Sequence, residues 1–389
     1  MNKNTLPTIR QEFQVRYTYQ LLFTRHLFAV ENPLFKNVLA DYRPNHPIKC
    51  LFVVDQGVLD NNPKLGKEIE AYCNHFKEQI QFTHLIAVPG GEQSKKDQSN
   101  VSKCLDAINE NAICRHSFVV AIGGGAVVDM AGYAATIAHR GVKLIRIPTT
   151  VLAQNDAAVG VKNSVNAFDK KNFLGTFSVP YAIINDLEFL NTLEQRDWVA
   201  GIAEAIKVAL IKDKQFFEYI ESNAEALANR EMEPMAYLIH RCAELHMEHI
   251  AEGGDPFESG SSRPLDFGHW SAHKLEYMTG YSLRHGEAVA IGMAIDMMYA
   301  SLVGVLQGDL ERVLSVIKKV GFHLEVPFEK DEDIKELLNG IEEFREHLGG
   351  ELTIPLIPEI GTKTDVHSID YELMEKAVRS FIYKPQNSL

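Results

Sequence analysis

The sequence predicts an α/β first half joined to a mostly α-helical second half, on three observations. Short β-rich apolar runs alternate with segments of helical spacing up to about residue 190, the pattern of parallel βαβ units. Those runs are apolar almost without interruption, as strands covered on both faces are. From about residue 193 the period becomes helical for most of the remaining chain. We therefore divide the chain into residues 1–190 and 191–389.

Each element follows from its local pattern. Residues 50–55 (CLFVVD) read as a buried strand, with a turn at Gln56-Gly57. Residues 82–92 read as a strand entering the glycine turn PGGE, and residues 96–112 as a helix. SFVVAI at 117–122 is the next strand, GGGAVVD at 123–129 the next turn, residues 126–139 the next helix, and KLIRIP at 143–148 a further strand. Beyond these, residues 195–230, 234–252, 269–279 and 286–305 have helical periodicity, and only LTIPLI at 352–357 is strand-like.

Composition narrows the function. With 46% apolar and 23% charged residues the chain reads as a soluble globular enzyme. No apolar run approaches the roughly 18 residues of a membrane span, and the first residues lack the apolar stretch of a secretory signal. A cytoplasmic location is expected. Lys plus Arg is 39 against 52 Asp plus Glu, a net charge of −13, which argues against nucleic-acid or anionic-membrane partners. The five cysteines are scattered without C-x-x-C spacing, so buried free thiols are expected rather than disulfides or a cysteine zinc site.

Gly123, Gly124 and Gly125 stand between a strand and a helix. Glycines there let a phosphate approach the backbone, and the helix start supplies N–H groups and a positive dipole end. The first half is thus a Rossmann-like nucleotide-binding domain, although the G-x-G-x-x-G spacing is absent. Asp129 lies one turn into that helix, where it could accept from a nicotinamide or ribose. Asp55 ends a strand, where it could hold ribose hydroxyls. Glu92 and Lys95 sit in the second glycine turn. Residues 156–172 (DAAVGVKNSVNAFDKKN) read as a polar loop carrying Lys162, Lys170, Lys171 and Asn172; Arg140 precedes it and Lys207 follows in the helical half. Cations gathered in an acidic chain point to an anionic substrate.

Glu204 and Lys207 are three apart in a helical stretch, hence on one face. His269 and His273 are four apart after Asp266, and His285 opens HGEAVAIGM. One carboxylate and two imidazoles suit Zn²⁺ or Co²⁺ with an open position. Among 15 histidines spacing alone does not choose the ligands, and His246, His249 and His347 are rivals. We take His269 and His285 as ligands and His273 as an acid/base or orienting group.

Together these motifs resemble the sugar phosphate cyclase superfamily, with its dehydroquinate synthase-like fold. GGGAVVDMAGYAAT with HRG resembles its cofactor turn, RIPTTVLAQNDAAVGVKNSVN with KKN its substrate loop, and GIAEAIK, DFGHWSAH and HGEAVAIGM its metal and catalytic segments. The resemblance spans about residues 50 to 365. It implies Glu204, His269 and His285 as metal ligands, and NAD bound by Asp55, Glu92, Lys95, Gly124, Gly125, Asp129, Thr149, Thr150, Phe189 and Thr192. Around substrate and phosphate it implies Asp156, Lys162, Lys171, Asn172, Lys207 and Arg140. A homodimer is also implied.

Departures from the dehydroquinate synthase pattern suggest a branch. VGVKNSVN replaces V-G-G-K-T-G-V-N, Asp266 replaces the asparagine of N-x-G-H, a lysine of the preceding helix is replaced near Met247, and Arg263 is displaced by one residue. A substrate carboxylate would lose its cations there, and burying an unpaired charge is costly. These features resemble the cyclitol-forming branch, typified by 2-epi-5-epi-valiolone synthase, which uses the C7 ketose phosphate sedoheptulose 7-phosphate. His273 keeps the dehydroquinate synthase identity and does not fit that branch. The reaction implied is redox-neutral: a substrate alcohol is oxidised by NAD⁺, phosphate leaves as the newly acidic neighbouring proton is lost, the hydride returns, and the enolate closes the ring. The alternatives are 3-dehydroquinate synthase of the shikimate pathway, a glycerol-dehydrogenase-like oxidoreductase, and a non-catalytic NAD- or phosphate-binding protein.

Overall fold

The computed structural model describes residues 8–44, 46–168, 170–257 and 264–382. Six strands form one parallel sheet: β1 (Gln20–Thr24), β2 (Ile48–Asp55), β3 (Ile80–Val88), β4 (Phe118–Gly123), β5 (Lys143–Pro148) and β8 (Ala182–Asp186), in the order β1-β8-β5-β4-β2-β3. Successive strand residues point to opposite faces. Phe52, Val54, Val120 and Ile122 enter one apolar cluster, while Leu51, Val53, Val119 and Ala121 enter another. Both faces are covered, so these strands had to be apolar throughout.

The strand order reverses beside β2. The chain first moves outward from β2 to the edge strand β3, then returns to place β4 on the other side of β2. The carboxyl ends of β2 and β4 therefore border the crevice where open α/β sheets bind ligands. Asp55 ends one strand and Gly123 the other.

The segment expected as a polar loop is ordered differently. Residues Ala153–Ala157 form a π-helical turn, and β6 (Lys162–Ala167) pairs antiparallel with β7 (Lys170–Phe177). Asn163, Ser164 and Val165 are buried, and the hairpin packs on the helix Gly125–Ile137. Its polar composition concealed a strand whose amides and hydroxyl find partners inside the fold. The strands β1 and β8 are further elements beyond those expected from the sequence.

In the second half the stretch 195–230 is broken into four helices, Gln195–Ala200, Ile202–Lys212, Lys214–Ser222 and Ala224–Ala228. Asp213 starts the third by accepting from the Phe216 N–H at 3.0 Å, a competing local bond that ends the second. Only Ile354–Leu356 of LTIPLI is a strand, paired with Thr364–Val366. Helices Leu310–Lys319, Asp331–His347 and Tyr371–Arg379 complete this half. Close backbone approach draws its centre together. A Cβ on Gly286 would lie 1.9 Å from the Ala200 carbonyl oxygen, and one on Gly292 would lie 2.1 Å from that of Gly268.

One apolar cluster runs from Trp198 to Val378; among the described residues its buried members from the first half are Val151, Leu187 and Leu190, and Phe23 packs against it. We keep a boundary near residue 190 as a proposal. Four cysteines are buried free thiols as expected, whereas Cys114 is exposed because it lies in the turn before β4. Among the described residues no helix is long and apolar enough to cross a membrane.

Candidate active site

Three helices bring their ligands to one point. Glu204 and Lys207 lie on Ile202–Lys212, His269 opens the helix His269–Met278, and His285 opens the helix His285–Leu302. Nε2 of His269 is 3.7 Å from Glu204 Oε1, and Nε2 of His285 is 3.3 Å from it. Neither oxygen of this fully buried carboxylate makes a hydrogen bond; its company is ionic, with Lys207 paired to it one turn along. One donor atom from each of Glu204, His269 and His285 lies within 4.8 Å of the others. Its Oε1, which faces the two imidazoles, is left without a hydrogen bond, and a divalent cation held by one carboxylate and two imidazoles would satisfy it. The set fits Zn²⁺ or Co²⁺.

The other ring nitrogens are fixed from behind. His269 Nδ1 is 3.1 Å from the Phe267 carbonyl oxygen, and His285 Nδ1 is 3.1 Å from Glu276 Oε2. Burial pushes the His269 imidazole well below its usual range, and Lys207, His273 and His285 push it further; a neutral imidazole is what a metal needs. Burial would lower His285 too, but Glu276 and Glu204 outweigh it and lift the ring to about 9. His273 is exposed, with its ring 5.3 Å from that of His269 and stacked 6.0 Å from that of His285.

Across from Glu204, Asp156 Oδ1 lies 3.1 Å from His246 Nδ1. Burial and Glu204 would raise the Asp156 carboxyl, but His246 and Lys207 outweigh them and hold it below its usual value. Burial likewise opposes charge on Lys207, and Glu204, Asp156 and Asp266 keep it protonated. Asn155 ties this turn to the metal helices by donating to the Gly201 carbonyl at 2.8 Å.

The glycine turn is built for an anion. Gly124 precedes the helix Gly125–Ile137, which no described side chain caps, so its first N–H groups face outward. Asp55 accepts from the Gly57 N–H at 2.8 Å, and burial raises its carboxyl despite that bond and one from the Gly124 N–H. Gly90 closes over it: a Cβ there would sit 2.5 Å from Asp55 Oδ1. Thr149 donates its N–H to the Gly123 carbonyl at 3.0 Å, and Thr150 Oγ1 accepts from the Ala153 N–H at 3.1 Å. The crevice position, the uncapped helix start and a buried acid at a strand end fit a dinucleotide. Lys95 joins this turn to the hairpin, donating to Asp129 Oδ2 at 2.8 Å, Ser164 Oγ at 3.0 Å and Asn172 Oδ1 at 2.5 Å.

Several expectations are altered. Lys171, expected around substrate and phosphate, donates to Glu276 Oε1 at 2.9 Å and lies 3.6 Å from Glu92. Lys162 is exposed at the start of β6, and Arg140 is exposed beyond the end of the glycine-turn helix in a left-handed conformation (φ 61°). Phe189 packs in the apolar cluster on one face of the sheet, and the exposed Thr192 donates its Oγ1 hydroxyl to the Phe189 carbonyl at 3.0 Å. Arg263 lies outside the described residues. The residue turned toward Asp156 is His246, one position before Met247.

Three residues of the site were missed. Glu276 follows His269 and His273 at i+7 and i+3, one face of a helix, and that spacing could have found it. His246 was weighed only as a rival ligand. Arg146, a cation flanked by isoleucines in the KLIRIP run, is fully buried. It donates to the carbonyls of Ala158 at 2.8 Å, Gly160 at 2.5 Å and Lys162 at 3.0 Å, and to Asn163 Oδ1 at 2.8 Å, fixing the chain between the π-helical turn and the start of β6.

Comparison with known proteins matches the 3-dehydroquinate synthase N-terminal domain to residues 85–200 and the C-terminal domain to residues 201–343. The chain belongs to the 3-dehydroquinate synthase family. As a family member it is a carbon–oxygen lyase acting on phosphates, as the resemblance implied. It is 36% identical over 293 residues to a 3-dehydroquinate synthase of a Nitratiruptor species, covering 75% of this chain and 81% of that one. The 3-dehydroquinate synthase of Dictyoglomus thermophilum is 31% identical over 351 residues, 89% of this chain and 93% of that one. Among solved structures, 2-epi-5-epi-valiolone synthase from Streptomyces hygroscopicus subsp. jinggangensis 5008, with NAD⁺ and Zn²⁺ bound, superposes with a TM-score of 0.86 at 27% identity, over 96% of this chain and 99% of that one. A 2-deoxy-scyllo-inosose synthase complexed with carbaglucose-6-phosphate, NAD⁺ and Co²⁺ shares the fold (TM-score 0.76, 22% identity, 93% and 96% covered).

Proposed function

We propose that this family member is an NAD- and divalent-metal-dependent cyclase that eliminates phosphate from a seven-carbon sugar phosphate and closes its carbon ring. The observation that carries the reading is the buried Glu204 carboxylate, without a hydrogen bond, facing His269, His285 and Lys207. When bound, NAD⁺ supplies a transient hydride acceptor, and the metal at Glu204, His269 and His285 supplies Lewis acidity.

The chain's own residues do the rest. Asp55 and the N–H groups behind Gly124 hold the dinucleotide, with Asp129 oriented by Lys95. Lys162, Lys207 and Asn172 stabilise charge on the departing phosphate, and Arg140 stands as a further phosphate ligand. Asp156, held by His246, moves or orients the proton of a substrate hydroxyl; His273 is the other acid/base candidate. A cytoplasmic homodimer is part of the proposal, and the acidic charge of −13 supports a small-molecule substrate rather than nucleic acid or a membrane.

Two substrates fit this reaction. The names of the curated relatives back the carboxylated substrate of 3-dehydroquinate synthase better than the carboxylate-free ketose phosphate expected from the sequence. One feature of the site favours sedoheptulose 7-phosphate: Asp266 stands close enough to Lys207 to stabilise its charge, and an anion there repels a substrate carboxylate. The structural likeness to 2-epi-5-epi-valiolone synthase over 96% of the chain points the same way. Phosphate release from each compound, with NAD⁺ and Zn²⁺ or Co²⁺, decides between them. Release from one alone identifies the substrate. Release from neither overturns the seven-carbon cyclase reading.

A further inference from the structure

Glu276 is a buried carboxylate whose side-chain hydrogen bonds among the described residues, to His285 and Lys171, lead toward the two proposed cofactor positions. It is 3% exposed. Oε2 lies 3.1 Å from Nδ1 of His285, whose Nε2 faces Glu204. Oε1 accepts from Lys171 at 2.9 Å, and Lys171 lies 3.6 Å from Glu92 in the second glycine turn. Asn166 of the hairpin donates to the other oxygen of Glu92 at 3.3 Å. The series Glu92, Lys171, Glu276, His285 therefore runs from the nucleotide side to the metal side without a gap.

We infer that Glu276 is a positioning residue of the metal centre, aiming His285 at the cation, and that Lys171 acts through it rather than on substrate. Geometry supplies the reason. An imidazole that ligates through Nε2 carries its proton on Nδ1, and a carboxylate accepting that proton fixes both tautomer and ring plane. A carboxylate this deeply buried needs a standing cation, and Lys171 is placed to be it. Lys171 also pins Oε1, leaving Oε2 directed at the ring. The inference rests on the metal reading proposed above.

The test is zinc retention by the purified full-length chain, measured by chelator competition without substrate. Glu276→Gln keeps the shape and an acceptor oxygen but removes the charge. It is expected to weaken zinc binding by about 10- to 100-fold, while Glu276→Asp retains part of the affinity. Lys171→Met is expected to weaken binding by less than Glu276→Gln does. Activity lost by Glu276→Gln at limiting zinc should return in excess zinc, which would not happen for a residue that touches substrate. Thermal unfolding of the metal-free variants, matching that of the metal-free parent, separates this from a folding defect. Should Glu276→Gln fail to fold, the Glu276→Asp and Lys171→Met affinities carry the test. Zinc held by these variants as tightly as by the parent overturns the inference and leaves the metal reading intact. No zinc held by the parent overturns the metal reading itself.

Discussion

His246 Nδ1 lies 3.1 Å from Asp156 Oδ1, which joins the long helix Met232–Glu252 to the π-helical turn opposite Glu204. The ion pair gives Asp156 a fixed neighbour rather than leaving it a loose charge. His246→Ala is expected to lower kcat by about 10²-fold if Asp156 handles a substrate proton, and to shift the acidic limb of the pH–rate profile upward. The limb moves up because His246 helps hold the Asp156 carboxyl below its usual value. An unchanged limb would show that Asp156 does not titrate in the reaction.

Lys207 is the standing counter-charge of Glu204, and both are buried. Removing one partner of such a pair leaves an uncompensated charge. Lys207→Met is expected to destabilise the metal-free protein by about 3–5 kcal/mol, read from urea unfolding. The double variant Lys207→Met with Glu204→Gln should recover much of that loss.

The same carboxylate gives stability a pH dependence. Burial would raise Glu204, but Lys207 and His285 outweigh it and hold the group at about 2, against an ordinary 4.5. The folded state therefore binds this proton less readily than the unfolded chain. The resulting stability is fully present above pH 4.5 and is lost as pH falls through about 2. Urea midpoints of the metal-free protein should fall across that window, and the slope should flatten in Glu204→Gln.

Arg146 holds the chain that leads into β6. Its four acceptors all lie between Ala158 and Asn163. Arg146→Met strands buried acceptors, at about 1–3 kcal/mol each. We expect a lower melting temperature and a KM for the sugar phosphate that rises more than kcat falls.

Metal removal gives the sharpest contrast between cofactors. Exhaustive chelation should abolish phosphate release while leaving NAD⁺ binding in place, because the glycine turn and the Glu204 cluster are formed by separate elements. Calorimetric titration of the chelated protein with NAD⁺ checks this, and loss of NAD⁺ binding along with the metal would contradict it.

Much of the first half was readable because the residues of β2 and β4 face one or other of two apolar clusters, so few polar residues interrupt the runs. Gly123 to Gly125 were readable for a related reason: glycine suits a turn at a strand end where backbone must come close. Glu204, His269 and His285 were readable through motif spacing and family resemblance together. The hairpin Lys162–Phe177 was not, because Asn163 and Ser164 are polar yet buried, and composition records polarity rather than burial.

The sequence by itself determined the two-part architecture, the glycine turn and the list of residue types from which a metal site is made. Only the tertiary structure decided how those residues are used. It turned His246 rather than Met247 toward Asp156, engaged Lys171 with Glu276, and placed Arg146 against the chain that leads into β6. The physical reason is range. Periodicity and turn chemistry act between residues a few positions apart, whereas the Lys171–Glu276 and Asp156–His246 pairs are separated by about a hundred positions. Such pairs form only where the packing of several elements excludes water and leaves each buried charge a partner.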